Sequence, residues 1–297
     1  MSARIANIGS LNIDLVYRVP HFVQPGETLA SLSFQRFAGG KGLNQSVALS
    51  KAGASVSHIG CTGSDGEFLV QFLREAGVDC SAIHKVDLPT GHAIIQVNDA
   101  GENCIILFGG ANETLSDHLI DRSLSQFGSG DIVLLQNETS GVRRGIECGK
   151  QRGLQVAFNP APCTPELANL PLHLLDYLIV NRTEAEMLSG ENDPENALKR
   201  LRKMAPASTI VLTQGGDGAL LADSAGRQLL QTAFKVDAVD TTAAGDTFIG
   251  YFLAALTEGE TPSKALELAS KASAICVTKP GAAPSIPTRD EVIGAAL

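Results

Sequence analysis

Residues 56–77 read Val56-Ser57-His58-Ile59-Gly60-Cys61-Thr62-Gly63-Ser64-Asp65-Gly66-Glu67-Phe68-Leu69-Val70-Gln71-Phe72-Leu73-Arg74-Glu75-Ala76-Gly77. Val56–Gly60 is a short apolar run of the kind that forms a buried strand. Phe68, Leu69, Phe72, Leu73 and Ala76 then recur at three- to four-residue steps, a helix with one apolar face, and Gly77 supplies its stop. The same apolar runs return at Ile5–Gly9, Ile132–Gln136, Leu154–Asn159, Tyr177–Asn181 and Ile210–Thr213. A further helix is expected from Pro262, with Leu266, Ala269, Ile275 and Cys276 on one side. Strands alternating with helices make βαβ units, so the expectation is an α/β, Rossmann-like domain whose parallel sheet is covered by helices on both faces. Two regions break this rhythm. Leu15–Phe37 holds β-rich pieces with no helix between them, and His92–Val97 and Asn103–Phe108 flank Asn98-Asp99-Ala100-Gly101-Glu102, a hairpin turn. They read either as two surface hairpins or as one small antiparallel β sheet projecting from the domain.

Composition narrows the function. With 297 residues and 44% hydrophobic content, one large domain with or without an appendage is expected, and long disorder is excluded. The 23 Lys+Arg against 32 Asp+Glu leave a formal charge of −9, which argues against nucleic acid as a partner. No run of about 18 apolar residues is present to span a membrane. Met1–Asn7 runs straight into a strand pattern without a signal-peptide core, so a cytoplasmic location is expected. Six cysteines (Cys61, Cys80, Cys104, Cys148, Cys163, Cys276) form no C-x-x-C pair and read as reduced core thiols. The six histidines are equally dispersed, which gives no metal spacing.

Ten of the thirty glycines fall in five places: Gly39/Gly40/Gly42, Gly109-Gly110, Gly215/Gly216/Gly218, Gly245 and Gly281. Glycine lets backbone amides approach a ligand, and helix N-termini turn amides toward anions, so several such loops suggest a phosphate-bearing substrate. Two familiar phosphate loops are excluded. Gly40-Lys41-Gly42 lacks the Ser/Thr of a P-loop, and Gly9-Ser10-Leu11-Asn12-Ile13-Asp14 is not the dinucleotide fingerprint. In Val239-Asp240-Thr241-Thr242-Ala243-Ala244-Gly245-Asp246-Thr247-Phe248, small residues precede a carboxylate at the start of a helix. The amides of Ala243, Ala244 and Gly245 could hold an anion there, with Asp246 taking a proton from an attacking hydroxyl. Alternatively, Asp246 is a helix cap.

This last stretch resembles the C-terminal signature of the ribokinase (PfkB) family of carbohydrate kinases, and Phe37-Ala38-Gly39-Gly40-Lys41-Gly42-Leu43-Asn44-Gln45 resembles its N-terminal one. Further matching motifs run in order along nearly the whole chain. They include Gly110-Ala111-Asn112, Gln136-Asn137-Glu138, Asn159-Pro160-Ala161-Pro162, Asn181–Glu186, Thr213–Gly218 and Lys279–Ser285. The resemblance implies one kinase domain over 1–297, with a β lid contributed by about 11–38 and 89–109. It implies ATP-dependent phosphorylation of a sugar's primary hydroxyl, with D-ribose giving D-ribose 5-phosphate. Alternatives are an adenosine-type nucleoside, fructose or a sugar acid as acceptor, or a non-catalytic sugar-binding regulator.

The same resemblance implies roles for individual residues. Asn12, Asp14, Gly40, Lys41, Asn44 and Glu138 would bind the sugar. Asp246 would be the base, with Ala243, Ala244 and Gly245 its anion hole. Asn181, Glu184, Thr213, Gly215, Gly218 and Gly245 would serve ATP, Gly218 looking more structural and Glu184 acting on Mg²⁺ through water. Asp240, Thr242, Cys276, Gly281 and Ser285 would surround K⁺ or another monovalent cation, Cys276 through its carbonyl. A homodimer formed through the lid is implied as well. Many members have Gly where this chain has Ala243, which favours the sugar-kinase branch.

Overall fold

Ile132-Val133-Leu134-Leu135-Gln136 is buried at every position, so this strand must lie deep in a sheet covered on both sides. The computed structural model describes residues 3–297. The strands are β1 (Arg4–Ile8), β2 (Asn12–Arg18), β3 (Ser33–Gly39), β4 (Ser55–Thr62), β5 (Asp79–Lys85), β6 (Gly91–Val97), β7 (Asn103–Phe108), β8 (Ile132–Gln136), β9 (Gln155–Asn159), β10 (Tyr177–Asn181), β11 (Thr209–Thr213), β12 (Ala219–Ala222) and β13 (Gln228–Gln231). The helices are α1 (Lys41–Lys51), α2 (Glu67–Glu75), α3 (Asp117–Leu124), α4 (Val142–Gln151), α5 (Arg182–Ser189), α6 (Pro194–Met204), α7 (Ala244–Thr257), α8 (Pro262–Cys276) and α9 (Arg289–Gly294).

The large sheet runs β13-β12-β11-β10-β9-β8-β1-β4-β5. Its strands are parallel from β11 through β5, and an antiparallel hairpin, β12–β13, closes one edge. Side chains alternate between two cores, as the two-residue period of a strand requires. Ile132 and Leu134 join a core with α1, α2, α7 and α8. Val133 and Leu135 join another with α3, α4, α5 and α6. Each fully buried Leu or Ile contributes roughly 1.5–3 kcal/mol. The deepest helix is α7, buried at every residue from Asp246 to Ala255. It packs closely on α1: a Cβ on Gly250 would lie 2.4 Å from the Ala48 Cβ.

The two irregular regions form one small sheet rather than separate hairpins, in the order β3-β2-β6-β7. Its outer pairings are antiparallel, and the inner β2–β6 pairing is parallel, with Asn12 opposite Gly91 and Arg18 opposite Val97. Every residue of β7 is exposed. Phe34 and Ile106 stand 52% and 61% exposed, so this sheet offers solvent an apolar face. Cys104 lies on β7 and is exposed, which corrects its reading as a core thiol; Cys61, Cys80, Cys148 and Cys276 are buried as expected.

Candidate active site

Strand β1 lies between β4 and β8, whose connections leave in opposite directions, so the carboxyl ends of β1 and β8 form a topological switch point, the place where sheets of this kind bind ligands. The chain leaves β1 through Gly9 and Ser10 and lies directly on the start of α1. A Cβ on Gly42 would sit 2.4 Å from the Gly9 carbonyl carbon, so only glycine permits this approach. Ser10 Oγ donates to Glu138 Oε2 at 2.5 Å, and the Lys41 amide donates to the same oxygen at 2.9 Å. Glu138 therefore sits at the amide-rich N-terminus of α1, while burial raises its carboxyl above the usual range. Asn12 is buried and accepts from Asn112 Nδ2 at 2.8 Å. Two positions along β2, Asp14 points to the same side of the sheet. Burial first, and Glu138 second, push its carboxyl up to about 7.

Asp246 does not cap its helix. The N-cap of α7 is Ala243, at φ 60°, the only non-glycine with positive φ among the described residues. The Asp246 carboxylate instead accepts from Asn44 Nδ2 at 3.0 Å and from Gln45 Nε2 at 2.9 Å. Asn44 is thereby left with a buried Oδ1 that has no partner among the described residues, an acceptor available to a ligand hydroxyl. The Ala244 amide closes a turn on the Thr241 carbonyl at 3.2 Å. The amides of Ala243 and Gly245 have no such partner among the described residues, so an anion here meets those two donors first. Asp246, then Glu138 and Glu184, raise the Lys41 ammonium's pKa, so Lys41 lies in the combined field of the three carboxylates.

Asn181 and Glu184 form a capping box at the start of α5. Asn181 Oδ1 accepts from the Glu184 amide at 2.8 Å, and the Asn181 amide and Nδ2 each donate to the Glu184 carboxylate at 2.9 Å. Both carboxylate oxygens are thus engaged, and burial raises the carboxyl's pKa. A divalent cation would fit this arrangement through water rather than by direct ligation. Among the described residues, no cluster of three or more His, Cys, Asp or Glu could hold a metal alone.

Beside Gly245 opens a cleft of about 460 Å³, lined by Thr213, Gly215, Gly216, Gly218 and Ala244 among others. Gly218 is also structural, as expected: a Cβ there would lie 2.0 Å from the Gln231 carbonyl oxygen. Sequence reasoning missed the opposite wall, Lys235, Val236, Ser270 and Ala274. Lys235 and Val236 lie in an irregular linker, and Ser270 and Ala274 carry no motif beyond helical spacing. Next to this cleft, Asp240 accepts from the Thr242 amide and hydroxyl at 2.9 and 2.6 Å and from the Gly281 amide at 2.8 Å. Cys276 Sγ lies 3.0 Å from Ser285 Oγ, and the Cys276 carbonyl accepts from the Lys279 amide. The five residues expected around a monovalent cation therefore lie near one another, at the turn into α7, the C-terminal end of α8 and the loop that follows it. Glu186, read as part of a solvated helix face, is exposed.

A carboxylate held at a helix start, between the polar side chains at the sheet's switch point and a glycine-lined cleft, fits a phosphotransferase site on a Rossmann-like scaffold. Residues 2–289 match the model of the pfkB family carbohydrate kinases. Over 302 residues the chain is 39% identical to the ribokinase of Haemophilus influenzae, covering 99% of this chain and 98% of that one. It is 33% identical over 298 residues to the deoxyribokinase of Salmonella typhi, covering 97% and 96%. A structure of Arabidopsis thaliana ribokinase complexed with ribose and ATP superimposes with a TM-score of 0.87 at 28% identity, covering 99% and 98%. The chain belongs to the pfkB family of carbohydrate kinases.

Proposed function

We propose that this protein is an ATP-dependent sugar kinase that converts D-ribose to D-ribose 5-phosphate. The observation that carries the reading is Asp246, buried at the start of α7 beside the glycine-lined cleft, with its carboxylate gripped by Asn44 and Gln45. Asn12, Asp14, Gly40, Lys41, Asn44 and Glu138 would bind the sugar, their amide and carboxylate groups offering complementary donors and acceptors to its hydroxyls. The primary hydroxyl oxygen would attack the γ-phosphorus, its proton passing to Asp246, as the bond to the β-γ bridging oxygen breaks and ADP leaves. The Ala243 and Gly245 amides, with Ala244 if its turn opens, would stabilise charge on the transferring group.

Asn181, Glu184, Thr213, Gly215 and Gly218 would hold ATP. Mg²⁺, when bound, would neutralise phosphate charge, with Glu184 holding it through water. A monovalent cation such as K⁺ would sit among Asp240, Thr242, Cys276, Gly281 and Ser285, acting at the loop that leads into α7. The whole chain would work as a single kinase domain, with residues of about 11–38 and 89–109 as a lid that excludes water from the acceptor. The apolar face of that lid supports a homodimer formed through it. A cytoplasmic setting would supply ATP; among the described residues, no helix is long and apolar enough to cross a membrane.

The deoxyribokinase relative makes 2-deoxyribose the first alternative acceptor. A non-catalytic regulator is disfavoured because the base and its small-residue surroundings are intact. The test is ADP release from Mg-ATP with ribose, deoxyribose, fructose and adenosine, with and without K⁺. Turnover is expected to be highest with ribose, and no turnover on any acceptor would overturn the reading. Asp246→Asn should lower kcat by about 10²–10⁴-fold, the contribution of a positioned general base, with sugar affinity largely kept.

A further inference from the structure

Beneath the site runs a buried series of side-chain hydrogen bonds. Asn7, Gln45, Ser46, His58 and Gln136 are all at most 1% exposed, an unusual depth for five polar side chains. Gln45 Nε2 donates to Asp246 Oδ1 at 2.9 Å and to Asn159 Oδ1 at 3.2 Å. Gln136 Nε2 donates to Gln45 Oε1 at 2.7 Å and to Asn7 Oδ1 at 2.8 Å. Asn7 Nδ2 donates to Ser46 Oγ at 2.8 Å, which leaves the Ser46 hydroxyl hydrogen for His58 Nδ1 at 2.8 Å. His58 Nε2 can then donate to the Gly9 carbonyl at 3.1 Å. On the other side, Asn159 Nδ2 donates to Glu184 Oε2 at 3.4 Å.

The direction of these bonds follows from their end. An ionised carboxylate only accepts, so the Gln45 NH₂ must face Asp246. Its oxygen then faces Gln136, whose NH₂ must face back, and the same logic passes to Asn7. No amide can turn over without leaving buried neighbours unpaired. A neutral amide suits Gln45's position because it gives two donors, one to each side. A Lys or Arg there would add a positive charge against the carboxylate meant to accept a proton.

We propose that Gln45 is the positioning residue of this site: its amide fixes the Asp246 carboxylate and, through Asn159, ties it to Glu184 at a set spacing. The inference rests on the reading of Asp246 as the base. It makes the phosphate-side element and the base one rigid unit, so loss of the amide would cost rate rather than binding.

The experiment compares wild-type protein with Gln45→Met, which keeps length but no polar atoms, and Gln45→Glu, which keeps the acceptor for Gln136 but replaces the two amide donors by at most one acidic proton shared with Asp246. Initial rates of ADP release are measured at varied sugar and varied Mg-ATP, and thermal unfolding verifies folding. In folded variants kcat is expected to fall about 100-fold, while the sugar KM moves less than about threefold. A folded variant with wild-type kcat would overturn the proposal. So would a rise in sugar KM without loss of kcat. Failure of both variants to fold would also overturn it, because the amide's part would then be structural. Absence of turnover in the wild-type protein on every acceptor would instead count against the proposed function, so the two failures are distinct.

Discussion

Ala243 carries a left-handed backbone conformation at φ 60° with a side chain that disfavours it. For an L-residue this costs roughly 1–2 kcal/mol, partly offset by the greater freedom of glycine in the unfolded chain, about 0.5–1 kcal/mol. Ala243→Gly is therefore expected to raise stability by up to about 1 kcal/mol in denaturant unfolding. A lower midpoint would show that the loop needs the methyl group. Asp14 offers a pH test at the same scale. Its carboxyl is pushed up to about 7, chiefly by burial, so it is largely neutral below pH 7 and ionised above. Hydrogen bonds from sugar hydroxyls to an ionised acceptor are the stronger ones. The sugar KM should therefore rise as pH falls through 7, and Asp14→Asn should lose that dependence. A KM–pH profile unchanged by the substitution would refute Asp14's part in binding.

Helices α1 and α7 meet where Gly250 lies against Ala48, and they carry the partners Asn44, Gln45 and Asp246. Gly250→Val has no room and should force the helices apart, costing about 1–3 kcal/mol as overpacking does. It should also lower kcat, because the carboxylate and its amides lie on opposite sides of the wedge. Thermal unfolding and turnover would check both effects, and unchanged kcat in a destabilised variant would separate packing from catalysis. The same level shows what the amino-acid sequence reveals. Strands such as β8, apolar at nearly every position, are plain from composition alone. Short or half-exposed strands are not: β5 mixes Asp79, Ser81, His84 and Lys85 with apolar residues, and β12 and β13 have four residues each. Asp246 stood out because its motif carries charge next to glycine, whereas Glu138, flanked by Asn137 and Thr139, was singled out only by the family resemblance. Asn7, Ser46 and His58 were not, because polar residues on a strand or helix look solvated until the tertiary fold buries them.

At the scale of the molecule, the small sheet leaves Phe34 and Ile106 exposed on one face and Ile105 and Leu107 on the other. If two copies cover the face that carries Phe34 and Ile106, Ile106→Glu should yield monomers in sedimentation velocity and raise the sugar KM, since the proposed lid would lose its support. A wild-type protein that sediments as a monomer would remove the dimer reading. The acidic balance of −9 also finds its place, because phosphate would be met by backbone amides and bound cations rather than by a basic surface. The placement of β2 has another consequence. It bears Asn12 and Asp14 at the centre of the exposed sheet, whereas Asp246 sits on the most deeply packed helix of the domain. On the proposed reading, part of the acceptor recognition (Asn12 and Asp14) thus resides on a different structural layer from the base, while Lys41 and Asn44 on α1 stay beside Asp246. On that reading a lineage could retune its sugar by changing the contacts made from the outer sheet, generation after generation, and inherit the buried helix that carries the base untouched.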